Sequence, residues 1–352
     1  MKTFFLATTP LHALISLSLM RGPFQDFDNT LALINKPGTG RLDLFADALG
    51  TVKPPGISVL QIPRVKNGGL GPGRALLRRI SEITRELSPS LIASGNDRRP
   101  EFYAAVRGCA SARRVYIDDG LYSYVPNYGI RDTVGEGLFA SVRRLWCGLA
   151  TERPSLTGGS IAMEEAYILL PERAHAGLSG KIVHALQAQW FADPWVSRTC
   201  AAAVASVGLD VELCRSIGLL VILPHPRLLA TYPELRQQIE TLASAHATRG
   251  ELVAIKAHPE SEVQLHEQLC LPDRNTLTIP QGLPVEALAP ILSGTLVVGA
   301  LTSALLFLAL LSERIRVRSL SLPARSGIQS RAHEQIQAIY GSVGIQAFTG
   351  EA

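Results

Sequence analysis

This sequence predicts an α/β fold of two lobes, each a parallel sheet with helices on both faces. Three observations lead there. Short apolar, β-rich runs alternate with helical patterns through the first ~120 residues. The alternation loses its regularity from about Tyr122 to Asp210 and restarts at Leu219. Three polar motifs, Asp118-Asp119-Gly120, Lys256-Ala257-His258-Pro259 and Thr302-Ser303, each follow such a run, where a strand should end. In open α/β sheets ligands bind at the carboxyl ends of strands, and two lobes facing each other place a cleft between those ends.

The elements follow in order. Phe4–Ala7 reads as a strand, and Thr9 and Pro10 as the cap and first turn of a helix over Leu11–Met20. Thr30–Ile34 and Ile57–Gln61 read as strands on either side of a helix at Leu42–Leu49. Arg74–Glu86 is an amphipathic helix with Leu76, Leu77, Ile80, Ile83 and Leu87 on one face. The Gly-rich stretch Asn67–Gly73 before it contains Pro72 and reads as a surface loop, not a phosphate cradle. Leu91–Ser94 is a strand, Glu101–Gly108 a helix, and Arg113–Ile117 the strand that delivers Asp118-Asp119-Gly120.

The middle holds a helix near Val134–Ala150, a strand at Ala166–Leu170 and helical patterns from Lys181 and Ser197. The domains are read as 1–213 and 214–352, with the last helix able to cross back. In the second lobe the strands are Leu219–Leu223, Leu252–Lys256, Thr276–Ile279, Thr295–Val298 and Arg316–Leu320. The helices are Pro233–Ala247, Val263–Gln268, Pro284–Leu292, Ser303–Leu311 and Ser330–Tyr340.

Composition excludes several classes. The chain has 352 residues, is 47% hydrophobic and carries a formal charge of +4, with six Lys among its 34 cationic residues. So mild a balance suits an anionic substrate or a membrane surface and does not call for nucleic acid. The five cysteines are scattered, with no CxxC, and read as reduced core residues of a cytoplasmic protein. The apolar start Met1–Met20 is interrupted by Thr8, Thr9, Pro10 and His12, so it reads as strand and helix, not as a signal peptide. Thr295–Leu311 is broken by Gly299 and Thr302-Ser303 and is short of the roughly 20 residues of a membrane span. Peripheral association with the cytoplasmic face of the inner membrane stays compatible with the sequence.

The chemistry resides in a few residues. Of Asp118 and Asp119, adjacent side chains on an extended strand point oppositely, so one enters the cleft and can take a proton from a hydroxyl. Gly120 lets the chain turn after them. Lys256 and His258, two apart, can share a face and meet a nucleobase carbonyl or a phosphate, with Pro259 fixing the turn. Pro224-His225-Pro226-Arg227 is a second His-Pro after a strand, ranked lower because no Lys precedes it. Thr302-Ser303 opens a helix, where backbone N–H groups favour an anion. Glu286, in a helix's first turn, can grip ribose hydroxyls or simply complement the helix dipole. Thr9, Asn96 and Asp97 also follow strands.

These motifs, in this order and spacing, resemble the bacterial sialyltransferases and polysialyltransferases of the GT-B fold. The resemblance runs from Thr8-Thr9-Pro10-Leu11-His12 to Thr302-Ser303-Ala304-Leu305-Leu306 and is strongest over Leu252–Leu311. It implies two Rossmann-like domains facing each other across a cleft, an acceptor domain carrying the base and a donor domain. It implies Asp119 as general base and His258 as the group supporting the departing phosphate. Lys256, Pro259, Glu286, Thr302 and Ser303 become donor-binding residues; a Thr replaces the first Ser of the family's hydroxyl pair. Thr9, Asn96, Asp118 and Gly120 become acceptor- or cleft-lining residues.

The implied reaction is inverting transfer of sialic acid, or a related nonulosonic acid, from its CMP-activated form to a sugar hydroxyl of a bacterial surface glycan. The partners are then that donor and a glycan acceptor of capsule or lipopolysaccharide, with no metal and no other cofactor. Transfer from CMP-Kdo, polyol-phosphate transfer from a CDP-alcohol, and a non-catalytic role in a glycan-assembly complex are the other readings.

Overall fold

The computed structural model describes residues 1–35, 42–63, 70–126, 154–258, 269–271, 274–322 and 328–348. Its first strand, β1 (Lys2–Ala7), is buried on both faces from Thr3 onward, as strands in the middle of parallel sheets are. Around it lie β2 (Asp28–Asn35), β3 (Ile57–Pro63), β4 (Leu91–Ser94), β5 (Arg113–Ile117), β6 (Glu165–Ile168) and β7 (Ile182–Ala185). All pair in parallel, in the order β3-β2-β1-β4-β5-β6-β7. The order reverses between β1 and β4, so the ends of those two strands flank the switch point where such sheets bind ligands.

The second sheet comprises β8 (Ile217–Ile222), β9 (Leu252–Lys256), β10 (Thr276–Ile279), β11 (Leu296–Gly299), β12 (Arg316–Ser319) and β13 (Gln346–Ala347). It is also parallel, in the order β10-β9-β8-β11-β12-β13, with its reversal between β8 and β11. Its core packs Leu219, Val221, Val253, Ile255 and Val298 from the strands against Leu235, Ile239 and Leu242 of the helix Pro233–Thr248. The two sheets belong to two compact units, Met1–Thr199 and Cys200–Ala352.

The division between the units falls inside the helix Pro194–Ser206, where the sequence reading has it at 213/214. Several other sequence expectations are corrected. The helical pattern from Lys181 is strand β7: a four-residue run is too short for its periodicity to separate strand from helix. The helix expected over Pro284–Leu292 shortens to a 3-10 turn, Val285–Leu288, since Pro290 has no N–H to offer the carbonyl of Glu286. The Gly-rich stretch is helical from Leu70, the first residue of the helix Leu70–Leu87. The last helix, Ile328–Ser342, stays within the second unit, where Tyr340 bonds Thr302. The helices read at Val134–Ala150 and Val263–Gln268 lie outside the described residues.

Candidate functional site

In each sheet polar side chains gather beyond the carboxyl ends of the strands. In the first unit Thr9 caps the helix Pro10–Arg21, its hydroxyl accepting from the His12 N–H at 3.2 Å. Capping fixes the first turn, and with it His12, just past the end of β1. His12 Nε2 lies 2.8 Å from Asp119 Oδ1, and Asn96 Nδ2 donates to Asp119 Oδ2 at 3.2 Å. Because a carboxylate only accepts, the imidazole hydrogen is on Nε2, and Nδ1 faces the Thr8 hydroxyl at 3.3 Å. The segments after β1 and β4 thus each send one group to the carboxylate that follows β5. Gly95 makes the approach sterically feasible: a Cβ there would lie 2.2 Å from His12 Nε2.

The two partners differ in exposure. The His12 side chain is 1% exposed and that of Asp119 is 15%. Asp119 is therefore open to a ligand and His12 is not.

Asp118 points the other way. Its carboxylate is fully buried and accepts from Gly120 N–H at 2.8 Å, Ser123 Oγ at 2.8 Å, Leu169 N–H at 2.9 Å and the Tyr124 hydroxyl. Burial pushes it up from 3.8 to about 6, against the lowering by those donors. Gly120 takes the left-handed conformation, φ 69°, that lets the chain double back over this carboxylate. Asp118 and Gly120 hold the loop that presents Asp119. Asp97, also buried, accepts from the N–H groups of Gly158 and Ser160, each at 2.7 Å, and ties the segment before β6 to the end of β4.

In the second unit Lys256 ends β9 and is 3% exposed. Its ammonium donates to the carbonyls of Ala257 at 3.1 Å and Gln281 at 3.0 Å, and Gln281 Nε2 donates to the His258 carbonyl at 2.9 Å. The cation therefore clamps the loops after β9 and β10 and sets the backbone at His258. Glu286, in the 3-10 turn, is buried too; burial raises its carboxyl while the Lys256 charge lowers it. Pro259 lies outside the described residues.

Thr302 caps the helix Ser303–Leu311, its hydroxyl accepting from Ala304 N–H at 3.3 Å. The Tyr340 hydroxyl accepts from the Thr302 N–H at 2.9 Å and donates to the Thr302 carbonyl at 2.7 Å. Leu301 before it sits at φ 49°, a conformation that non-glycine residues seldom adopt and that persists where surroundings enforce it.

Sequence reasoning missed His12 as the partner of Asp119, and missed Tyr340. The run Thr8-Thr9-Pro10-Leu11-His12 after a strand was the available signal for the first. Nothing local marks the second, because its partner is 38 residues away. Among the described residues no group of three or more His, Cys, Asp or Glu side chains is placed to hold a metal ion. Nor, among them, is any helix long and apolar enough to cross a membrane.

No protein-family model and no curated protein matches the chain. Solved structures do resemble it. The α/β-galactoside α-2,3-sialyltransferase of the luminous marine bacterium Photobacterium phosphoreum is 14% identical, with a TM-score of 0.57 over 97% of this chain and 95% of that one. The UDP-GlcNAc 2-epimerase of Methanocaldococcus jannaschii is 11% identical, TM-score 0.53, over 100% of this chain and 89% of its own. That of Neisseria meningitidis, solved bound to UDP-GlcNAc, is 12% identical, TM-score 0.53, over 99% and 88%. The fold is GT-B. At these identities the likeness is one of fold, and the chemistry has to be argued from the side chains.

Proposed function

We propose that this chain is an inverting glycosyltransferase that moves sialic acid, or a related nonulosonic acid, from its CMP-activated form to a sugar hydroxyl of a bacterial surface glycan. The observation that carries the reading is Asp119: a partly exposed carboxylate at a sheet switch point, held through both oxygens by the buried His12 and by Asn96. A base so held is ready to take a hydroxyl proton without first having to find its geometry.

In this reading the acceptor oxygen attacks the anomeric carbon and its proton passes to Asp119. The bond from that carbon to the phosphate oxygen breaks through an oxocarbenium-like transition state, and CMP leaves. The second unit binds the donor. His258 and the hydroxyls of Thr302 and Ser303 donate to the phosphate as its charge grows, and Glu286 grips the ribose. Lys256 supports these groups through the backbone it clamps and adds positive charge. Cationic and neutral donors do the work on the leaving group, so the reading requires no metal. Association with the cytoplasmic face of the inner membrane, where such acceptors are assembled, belongs to the same proposal.

The test is CMP release from the full chain offered CMP-sialic acid, CMP-Kdo and CDP-glycerol in parallel, with mixed glycan acceptors and with Asp119→Asn and His258→Ala as controls. Release from CMP-sialic acid, lost in both variants, supports the proposal, and release from CMP-Kdo alone replaces it with the Kdo-transfer reading. Turnover of CDP-glycerol alone, or of none of the three, overturns it.

A further inference from the structure

We infer that Ser123 is a positioning residue for the base: its buried hydroxyl holds the peptide of Asp119 and so sets where that carboxylate points. The inference rests on reading Asp119 as the base. The end of β5 is its first support. The Asp118 N–H still bonds the Tyr167 carbonyl of β6, at 3.0 Å. Asp119 is the next residue, and its N–H goes instead to Ser123 Oγ, at 3.1 Å. Where the sheet ceases to fix the chain, this hydroxyl takes over.

The bonding of that hydroxyl is the second support. Ser123 is fully buried. Its Oγ lies 2.8 Å from Asp118 Oδ1, 2.9 Å from the Tyr116 hydroxyl and 3.1 Å from the Asp119 nitrogen. A hydroxyl has one hydrogen and two lone pairs. A carboxylate only accepts and an N–H only donates, so Ser123 donates to Asp118 and accepts from Asp119. The remaining lone pair takes the hydrogen of the Tyr116 hydroxyl. All three valences are used, and no rotation of the Ser123 hydroxyl keeps all three bonds.

Ser123 is itself tied down. Its carbonyl accepts from the His175 N–H at 3.1 Å. The His175 ring is held in turn by the Thr157 carbonyl and the Gly177 N–H, each at 2.9 Å. Asp119 is therefore gripped at both ends, by His12 and Asn96 at its oxygens and by Ser123 at its peptide.

A double-mutant cycle separates positioning of the base from support of the fold. Ser123→Ala deletes the hydroxyl, and Ser123→Cys fills its space with a thiol that hydrogen-bonds weakly. Each would be made in the wild-type chain and in Asp119→Asn. Transfer from CMP-sialic acid would be measured on the full chain with donor and acceptor varied separately. In the wild-type background kcat should fall by about 10- to 100-fold, as a slightly misplaced group costs, with the donor KM unchanged. In Asp119→Asn the same substitutions should cost nothing further, because Ser123 acts through Asp119. Unchanged kcat in the wild-type background overturns the inference. Equal falls in both backgrounds also overturn it, by showing a structural role.

A second readout needs no substrate. The proton resonance of His12 Nε2–H, identified by its absence from His12→Ala, reports the bond to Asp119. It should move in Ser123→Cys as that pair loosens; a resonance that stays in place overturns the inference. If Ser123→Ala does not fold, Ser123→Cys carries both measurements. If wild type transfers nothing from CMP-sialic acid, the proposed function fails, and the His12 resonance alone decides for or against Ser123.

Discussion

His12 Nε2 lies 2.8 Å from Asp119 Oδ1 across 107 residues of sequence, the imidazole buried and the carboxylate partly open to solvent. The pair resembles a base and its orienter with the usual order inverted: here the imidazole orients and the carboxylate faces outward. If so, His12→Ala should leave Asp119 tethered by Asn96 alone. Transfer should fall by about 10²-fold, within the range general-base catalysis supplies, with the KM for donor unchanged. His12→Gln, whose amide can stand in for Nε2–H, should recover part of the loss. Steady-state kinetics with donor and acceptor varied separately would check this; a raised donor KM with normal turnover would contradict it.

Asp118 carries a pH signature. Its carboxyl sits at about 6 in the folded chain against 3.8 when freely solvated. Between those values the native state keeps a proton that the unfolded chain has released. Its stabilising contribution is therefore complete below about pH 4 and is lost as pH rises through 6. Asp118→Asn should destabilise, since an amide nitrogen would confront the Leu169 N–H. The gap between wild type and variant should narrow by on the order of 2 kcal/mol from pH 4.5 to pH 7. Urea unfolding at the two pH values measures it; a constant gap would show that this carboxyl does not titrate in that window.

Lys256→Met should cost about 2–5 kcal/mol, from two carbonyls left without their donor and a buried Glu286 left without its nearby cation. Burial already raises the Glu286 carboxyl, and losing Lys256 raises it further. The variant's deficit should thus grow as pH rises and shrink as pH falls and Glu286 takes up a proton. Denaturation profiles across pH test this, and a deficit independent of pH would contradict the electrostatic part.

Tyr340→Phe removes one hydroxyl that bonds both the N–H and the carbonyl of Thr302. A loss of about 1–3 kcal/mol in stability is expected for unpairing those groups. Because they set the turn before Ser303, CMP affinity should fall as well. Melting and calorimetry on one preparation would show whether the two losses occur together; unaltered CMP binding would separate the turn from the ligand site.

Most of the fold was legible because most strands of the two sheets are short apolar runs bounded by turn chemistry; β13, the exposed pair Gln346–Ala347, is not one and was missed. Leu31–Ile34 and Leu219–Ile222 are buried on both faces, as strands inside a parallel sheet are. What failed was local and brief: β7 at Ile182–Ala185 has too few residues to show a period, and Pro290 shortened a helix whose apolar pattern continued past it. At the candidate site, residue types at strand ends were readable, and Asp118 and Asp119 were expected to point apart, as they do. Which of the two would be buried was not readable, since that depends on Ser123, Tyr124 and Leu169 closing over Asp118. The ring contact of His225 with His258 was hidden for a similar reason: neighbouring strands β8 and β9 are joined by a 29-residue connection, Leu223 to Glu251, and only the sheet brings their ends together.

The central claim is that Asp119 takes the acceptor's proton in a CMP-sugar-dependent transfer. The most direct measurement compares Asp119→Asn with wild type for CMP affinity by calorimetry and for sugar transfer by product analysis. The account predicts equal CMP affinity, since Asp119 belongs to the first unit and the proposed donor residues to the second. It predicts a loss of transfer of roughly 10²–10⁴-fold. Normal transfer by Asp119→Asn would contradict it.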